Sequence, residues 1–334
     1  MLVFATLLGA LPVPPLLLSG GDGTSDASGV ADAAGALRQV IEAQETAGLE
    51  PLTDARAPAD PGPDVVARWR AAAGLTDRAV KAALRGPWSA AIDGGAAAGS
   101  AGSLEADVLA RAERLHEQIV ELAAAGCPLV EIVETEAHRI GSEDAARRVF
   151  REAHVRLAGD MAGTHLSLSI VGGSAWEAGA ATILDAPYQS LAVDLIAGPD
   201  NWRLVTATPR ERGIVAGALP TGAGADEGPE LLVWAAHYAA STGGRGLARV
   251  GLGTAGSLAA LSWAQATTRL RTLGDAARIA ALPAGELADA LDPRAVSSRA
   301  AALGRTSHAS SHASGRASRR TPPRPPAPGP DAET

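Results

Sequence analysis

Cysteine is almost absent from this 334-residue sequence, where Cys127 is the only one. A single thiol excludes an internal disulfide and every zinc motif built on paired cysteines, and it suits a reducing cytosol. Aromatic residues are scarce too, at 3% against 46% hydrophobic residues. The core must then be packed from small and branched aliphatic side chains, as in barrels whose strands are covered by helices. No uninterrupted apolar run reaches the ~18 residues of a membrane span, so no membrane partner is expected. Residues 1–18 are apolar, but no Lys or Arg precedes Arg38, and Pro12, Pro14 and Pro15 interrupt the run. A secretory signal wants basic residues ahead of an unbroken apolar helix. A buried first strand and a cytoplasmic protein are therefore expected.

Positive charge is also in short supply. The formal net charge is −8, with residues 1–304 carrying −11 and residues 305–334 carrying +3. An acidic body repels polyphosphate, which argues against a nucleic-acid partner and for a small-molecule substrate. The oligomeric state is not legible.

What the sequence does contain is alternation. Short apolar segments at 2–8, 49–54, 79–84, 129–133, 164–170, 191–196, 214–219 and 248–252 read as eight strands. Amphipathic segments at 30–47, 65–73, 104–124, 230–240 and 261–281 read as helices between them, and Ser142 is placed to cap another. In residues 104–124, Val108, Ala112, Leu115, Ile119 and Leu122 recur at helical spacing, opposite a charged face. This order predicts an α/β fold, a (β/α)8 TIM barrel over residues 1–303. Residues 94–102 form a Gly/Ala loop. Residues 304–334 are Ser, Arg and Pro with almost nothing apolar, the composition of a disordered tail. His308 and His312 within it are read as solvated rather than metal-binding.

Catalytic groups of such barrels sit at the C-terminal ends of the strands. In the 164–170 strand, period-two alternation puts Leu166, Leu168 and Ile170 toward the helices and His165, Ser167 and Ser169 toward the interior. His165 is a catalytic candidate, equally readable as part of an internal hydrogen-bond network. Glu131, Glu134 and Glu136 crowd one strand end, with His138 just beyond; Glu131 or Glu134 could act as a general acid or base. Asp54, Arg56, Glu136, His138, Ser167 and Asp194 are further substrate-binding candidates, and Trp88 is expected as a wall or lid of the cleft. Cys127 precedes its strand and is read as a buried structural thiol.

Landmarks in order carry a family resemblance. They are Gly9-Ala10-Leu11-Pro12, Gln44-Glu45-x-Ala47-Gly48-Leu49 with Leu52-Thr53-Asp54, and Leu84-x-Gly86-Pro87. Then come Leu122-x-x-Ala125-Gly126-Cys127 with Val130-Glu131-Ile132-Val133-Glu134, Thr164-His165, and Gly251-x-Gly253-x-x-Gly256-x-Leu258. Over about residues 1–285 the chain resembles the C-terminal domain of cobalamin-independent methionine synthase, in the uroporphyrinogen decarboxylase/methionine synthase-like barrel superfamily. The resemblance implies a methyltransferase in which zinc activates the homocysteine thiol. Its ligands would be a His-x-Cys on the fifth strand, a Glu on the sixth and a Cys after the eighth. Here His165 matches, Ser167 replaces the first Cys, Asp194 stands in the sixth strand, and Ala255 takes the last Cys position. The homocysteine pocket departs as well, with Arg56 and Val133 where acidic residues are expected.

The sequence thus implies a divergent methyltransferase-like barrel enzyme acting on a small polar substrate, with catalytic His165, Glu134 and Glu131. No cofactor and no metal site is expected, zinc entering only if His165 finds other ligands. The alternatives are a ligand-binding barrel without catalysis and a metal-free decarboxylase-like enzyme, for which Arg56, Arg85 and Arg139 would supply positive charge.

Overall fold

Seven parallel strands form one curled sheet, ordered β1-β7-β6-β5-β4-β3-β2. The structure is a computed structural model, and residues 3–15, 26–95, 101–159, 161, 163–222 and 228–291 are described. The strands are β1 (Phe4–Thr6), β2 (Lys81–Arg85), β3 (Leu129–Glu134), β4 (His165–Ile170), β5 (Ser190–Asp194), β6 (Gly213–Leu219) and β7 (Val250–Thr254). The connecting helices are α1 (Asp26–Thr46), α2 (Asp64–Ala73), α3 (Pro87–Asp93), α4 (Ala101–Ala124), α5 (Asp144–Ala158), α6 (Ala180–Leu184), α7 (Trp202–Ala207), α8 (Glu230–Ser241), α9 (Trp263–Ala280) and α10 (Ala284–Ala290). The expected tail at 304–334, with His308 and His312, lies outside the described residues, as does most of the Gly/Ala loop.

One expected strand is not a strand. Residues 49–54 make only the isolated bridge Leu52↔Val80. They do lie between β1 and β2. Glu50 N donates to Ala5 O, Leu52 N donates to Ala79 O, and Lys81 N donates to Leu52 O, each at 2.8 Å. Pro51 has no N–H to donate, so a regular ladder cannot run through this segment. A second expectation also changes: α5 begins at Asp144 with Glu143 as its N-cap, and no side chain caps it, so Ser142 does not serve.

The apolar periodicities read from the sequence bury as they should. Val108, Ala112, Leu115, Ile119 and Leu122 of α4 are at most 1% exposed. Each larger one contributes about 1.5–3 kcal/mol on burial. On β4, Leu166, Leu168 and Ile170 join the large core between sheet and helices. The opposite face looks into the curl of the sheet. There Leu8, Ala192 and Val215 form a small separate cluster with Phe4 packed on it. Phe4 fits because Gly251 faces it; a Cβ on Gly251 would lie 2.3 Å from the ring.

Candidate functional site

Strand register fixes where each candidate stands. His165 is the first residue of β4 and pairs with Leu129, the first residue of β3. It therefore sits at the N-terminal end of the sheet, away from the end where catalysis is expected. Its Nε2 lies 2.8 Å from Ser190 Oγ, and burial lowers its pKa below the ordinary value of 6.5. Glu131 is also on the inner face, paired with buried Lys81 at 2.5 Å. His165, Ser167, Glu131, Lys81 and Ser190 all line a cavity of about 610 Å³ at the N-terminal ends of the strands. The structure therefore brings His165, Glu131 and Ser167 together.

Glu134 is elsewhere. It shares strand parity with Val130 and Ile132, which are in the core between sheet and helices. Its carboxylate, 0% exposed, accepts from Trp88 N at 3.1 Å, Ser89 N at 2.7 Å, the Ser89 hydroxyl and His154 Nε2 at 3.0 Å. Gly86 is required beside it, because a Cβ there would lie 2.2 Å from the Glu134 carboxyl. Trp88 belongs to the same cluster. It is 2% exposed, its Nε1 donates to Glu136 O at 3.0 Å, and its ring meets Phe150 edge-on at 6.3 Å. It is a core residue rather than a lid.

The C-terminal end holds the remaining candidates. Asp194 closes β5, and its carboxylate accepts from Gly172 N at 3.2 Å, Ile196 N at 2.8 Å and Ala197 N at 2.9 Å. Burial raises its pKa, and these three donors oppose the rise. Buried Asn201 completes the clamp, donating to Asp194 O at 2.8 Å and Gly173 O at 3.0 Å. Together they order the loops after β4 and β5. His138, exposed, packs over Gly173, and Glu136 pairs with Arg139 at 3.4 Å. Asp54 is held by Arg68 at 2.7 Å. Asp54 and exposed Arg56 line a hollow of about 280 Å³ with Ala10, Leu11 and Ala55. Among the described residues no carboxylate pairs with the Arg56 guanidinium. Just inside this end, the Ser169 hydroxyl is buried with no hydrogen-bond partner among the described residues.

The implied zinc was tested against these donors. Asp194 is level with Val171, just past the end of β4, six residues and roughly 20 Å along the strand direction from His165. Ligands of one zinc ion must all lie about 2 Å from it. Cys127 is buried ahead of β3, its thiol donating to Leu129 O and pushed up to about 11 by burial. Among the described residues no three His, Cys, Asp or Glu side chains could hold a metal together. These residues do not fit the zinc site that the resemblance implies.

Several residues that shape these sites were not singled out in the sequence. Lys81 carried a signal, as a lone cation alternating with alanine in a strand. His154 sits on the apolar face of α5 with Phe150 and Leu157, and only its partners reveal its role. Ser89, Ser190 and Tyr188 gave no local sign.

Comparison with known proteins agrees with this architecture. A B12-independent methionine synthase from Shewanella sp. W3-18-1, solved with selenomethionine, superposes with a TM-score of 0.69 at 15% identity. The match covers 84% of this chain and 98% of that one. A methyltransferase from Methanosarcina mazei gives 0.59 at 13% identity, over 83% and 94% of the two chains. The fold is theirs. At these identities the likeness is one of fold, an α/β protein with a curled parallel sheet. No protein-family profile and no curated sequence matches it. No described helix is long and apolar enough to cross a membrane.

Proposed function

We propose that this protein is a methyltransferase-type enzyme acting on a small, polar, carboxylate-bearing substrate at the C-terminal ends of its strands. The observation that carries this reading is the hollow beside Arg56, whose guanidinium has no acidic partner among the described residues. Guanidinium is the side chain best suited to grip a carboxylate. Asp194 supports it by fixing the loops after β4 and β5, and Ser169 offers an unengaged hydroxyl below. On this reading residues 49–53 act as the eighth stave of a (β/α)8 barrel, held by their bonds to Ala5 and Ala79. Chemistry runs without a thiolate-held zinc, because the donor residues stand at opposite ends of the strands. The decarboxylase-like alternative has less support. Arg85 lies 3.5 Å from Asp60 and 3.4 Å from Asp93, and Arg139 pairs with Glu136, so neither is a free cation.

A ligand-binding barrel without catalysis is the second reading. It is favoured by the placement of His165 and Glu131 away from the C-terminal end, and of Glu134, which closes β3 but turns to the helix side; all three are engaged with other side chains. One experiment separates the two. EDTA-treated protein is incubated with 5-methyltetrahydrofolate labelled on its methyl group and with L-homocysteine or other small amino acids as acceptors. Labelled product above the protein-free control supports the enzyme. Saturable binding of an acceptor with no transfer to any supports the binding barrel. Transfer only on adding zinc, abolished in His165→Ala, contradicts the zinc-free reading.

A further inference from the structure

The cavity at the N-terminal ends of the strands has no part in that reading, yet it is the better built of the two. Across three neighbouring strands Glu131, Ser167 and Ser190 stand in register, Glu131 opposite Ser167 and Ser167 opposite Ser190. The outer two are engaged: Glu131 holds Lys81 Nζ at 2.5 Å, and Ser190 Oγ lies 2.8 Å from His165 Nε2. Ser167, between them, is 3% exposed, and its hydroxyl has no hydrogen-bond partner among the described residues. It lines the cavity of about 610 Å³, within the usual size of small-molecule sites. That hydroxyl opens on the cavity, where a ligand's polar group can take the place of water.

Of the charged side chains lining the cavity, Glu211 and Arg249 are exposed and Glu50 is half-buried, while the pair beside Ser167 is buried. Lys81 and Glu131 neutralise each other. Burial lowers the pKa of His165, so its ring is neutral at neutral pH. A charged group brought to Ser167 would lose its water without gaining a counter-ion, which is expensive. A neutral group that can both donate and accept suits a hydroxyl flanked by a carboxylate and a second serine. Around this polar row Phe4, Pro51, Ala79, Leu129 and Val215 present apolar surface.

We propose that this cavity is a second binding site, for a small uncharged amphipathic molecule. Its hydroxyl or carboxamide head meets Ser167, and its apolar body lies against Phe4, Leu129 and Val215. The site is independent of the C-terminal hollow, so neither proposal depends on the other.

The test uses the full chain with methyl-labelled Ile, Leu and Val, titrated with benzyl alcohol and benzamide, with benzoate and toluene as controls. The Leu129 and Val215 methyl resonances report on the cavity. The neutral polar probes should shift them saturably, with a Kd about tenfold or more below that of benzoate or toluene. Ser167→Ala should raise that Kd about tenfold, and Leu129→Trp, which fills the cavity, should remove binding. No saturable shift at these methyls, or an unchanged Kd in Ser167→Ala, overturns the proposal. If Leu129→Trp does not fold, Ser167→Ala decides alone.

Discussion

His154 Nε2 donates to Glu134 Oε1 at 3.0 Å, between side chains that are 1% and 0% exposed. Because the carboxylate can only accept, Nε2 carries a proton, and Nδ1 lies 2.7 Å from the Tyr188 hydroxyl. Burial and the Glu134 charge raise the Tyr188 pKa well above its usual value, which keeps that hydroxyl a donor. The chain Tyr188–His154–Glu134 then ends on the first turn of α3, at Trp88 N and Ser89 N. It joins β3, α3, α5 and the segment before β5. Glu134 is thus a structural anchor in this fold. Glu134→Gln turns an amide N–H toward backbone donors and should cost about 2–3 kcal/mol in urea unfolding. A stability change within error would contradict the anchoring role.

Lys81 and Glu131 make the second buried polar contact, with side chains 2% and 4% exposed. Removing one partner strands a charge in the interior. Lys81→Met should therefore destabilise the protein by about 3–5 kcal/mol. Lys81→Met combined with Glu131→Leu should recover most of that loss, since the desolvation penalty disappears with the pair. Equal destabilisation by the single and double variants would show that the pair itself, rather than its burial cost, holds the fold.

His165 links this region to pH. Burial lowers its pKa in the folded chain below the 6.5 of the unfolded chain. As pH falls below about 6.5, the unfolded state takes up protons first, so stability falls with pH through that window and is retained above it. His165→Gln, which keeps a polar contact to Ser190, should flatten that part of the stability–pH profile. Denaturant midpoints measured from pH 7.5 to 5 check this, and an unchanged slope contradicts it.

Asp194→Asn keeps one acceptor oxygen for Ile196 N and Ala197 N but presents an amide to Gly172 N. That one bond should be lost, at a cost of about 1 kcal/mol or somewhat more, with faster amide exchange confined to the loops after β4 and β5. Uniformly faster exchange across the sheet would assign Asp194 to global stability instead.

The fold was largely legible because its signals are periodic. Leu166, Leu168 and Ile170 could be assigned to the helix-facing side of β4 from alternation alone, and α4 from its spacing. The missed strand at 49–54 failed where Pro51 breaks a pattern that hydrophobicity alone suggested. The site was less legible, because face and end must both be right. Alternation placed His165 on the inner face correctly, and the 164–170 bounds already set it at the start of the strand, the end opposite to the one where catalytic groups were sought. Glu134 looked like a crowded acid at a strand end, and only its parity with Val130 and Ile132 turns it toward the helices. The partners His154 and Tyr188 are 20 and 34 residues from Glu134 and His154 respectively, beyond the reach of any local pattern.

The central claim is that polar substrates bind at the C-terminal hollow beside Arg56 and not with His165. Calorimetric titration with L-methionine and L-homocysteine, on wild type, Arg56→Ala and His165→Ala, tests it most directly. Losing a charge-assisted contact should weaken binding by about tenfold or more in Arg56→Ala, with His165→Ala unchanged. Loss of binding in His165→Ala with Arg56→Ala unaffected would contradict the account.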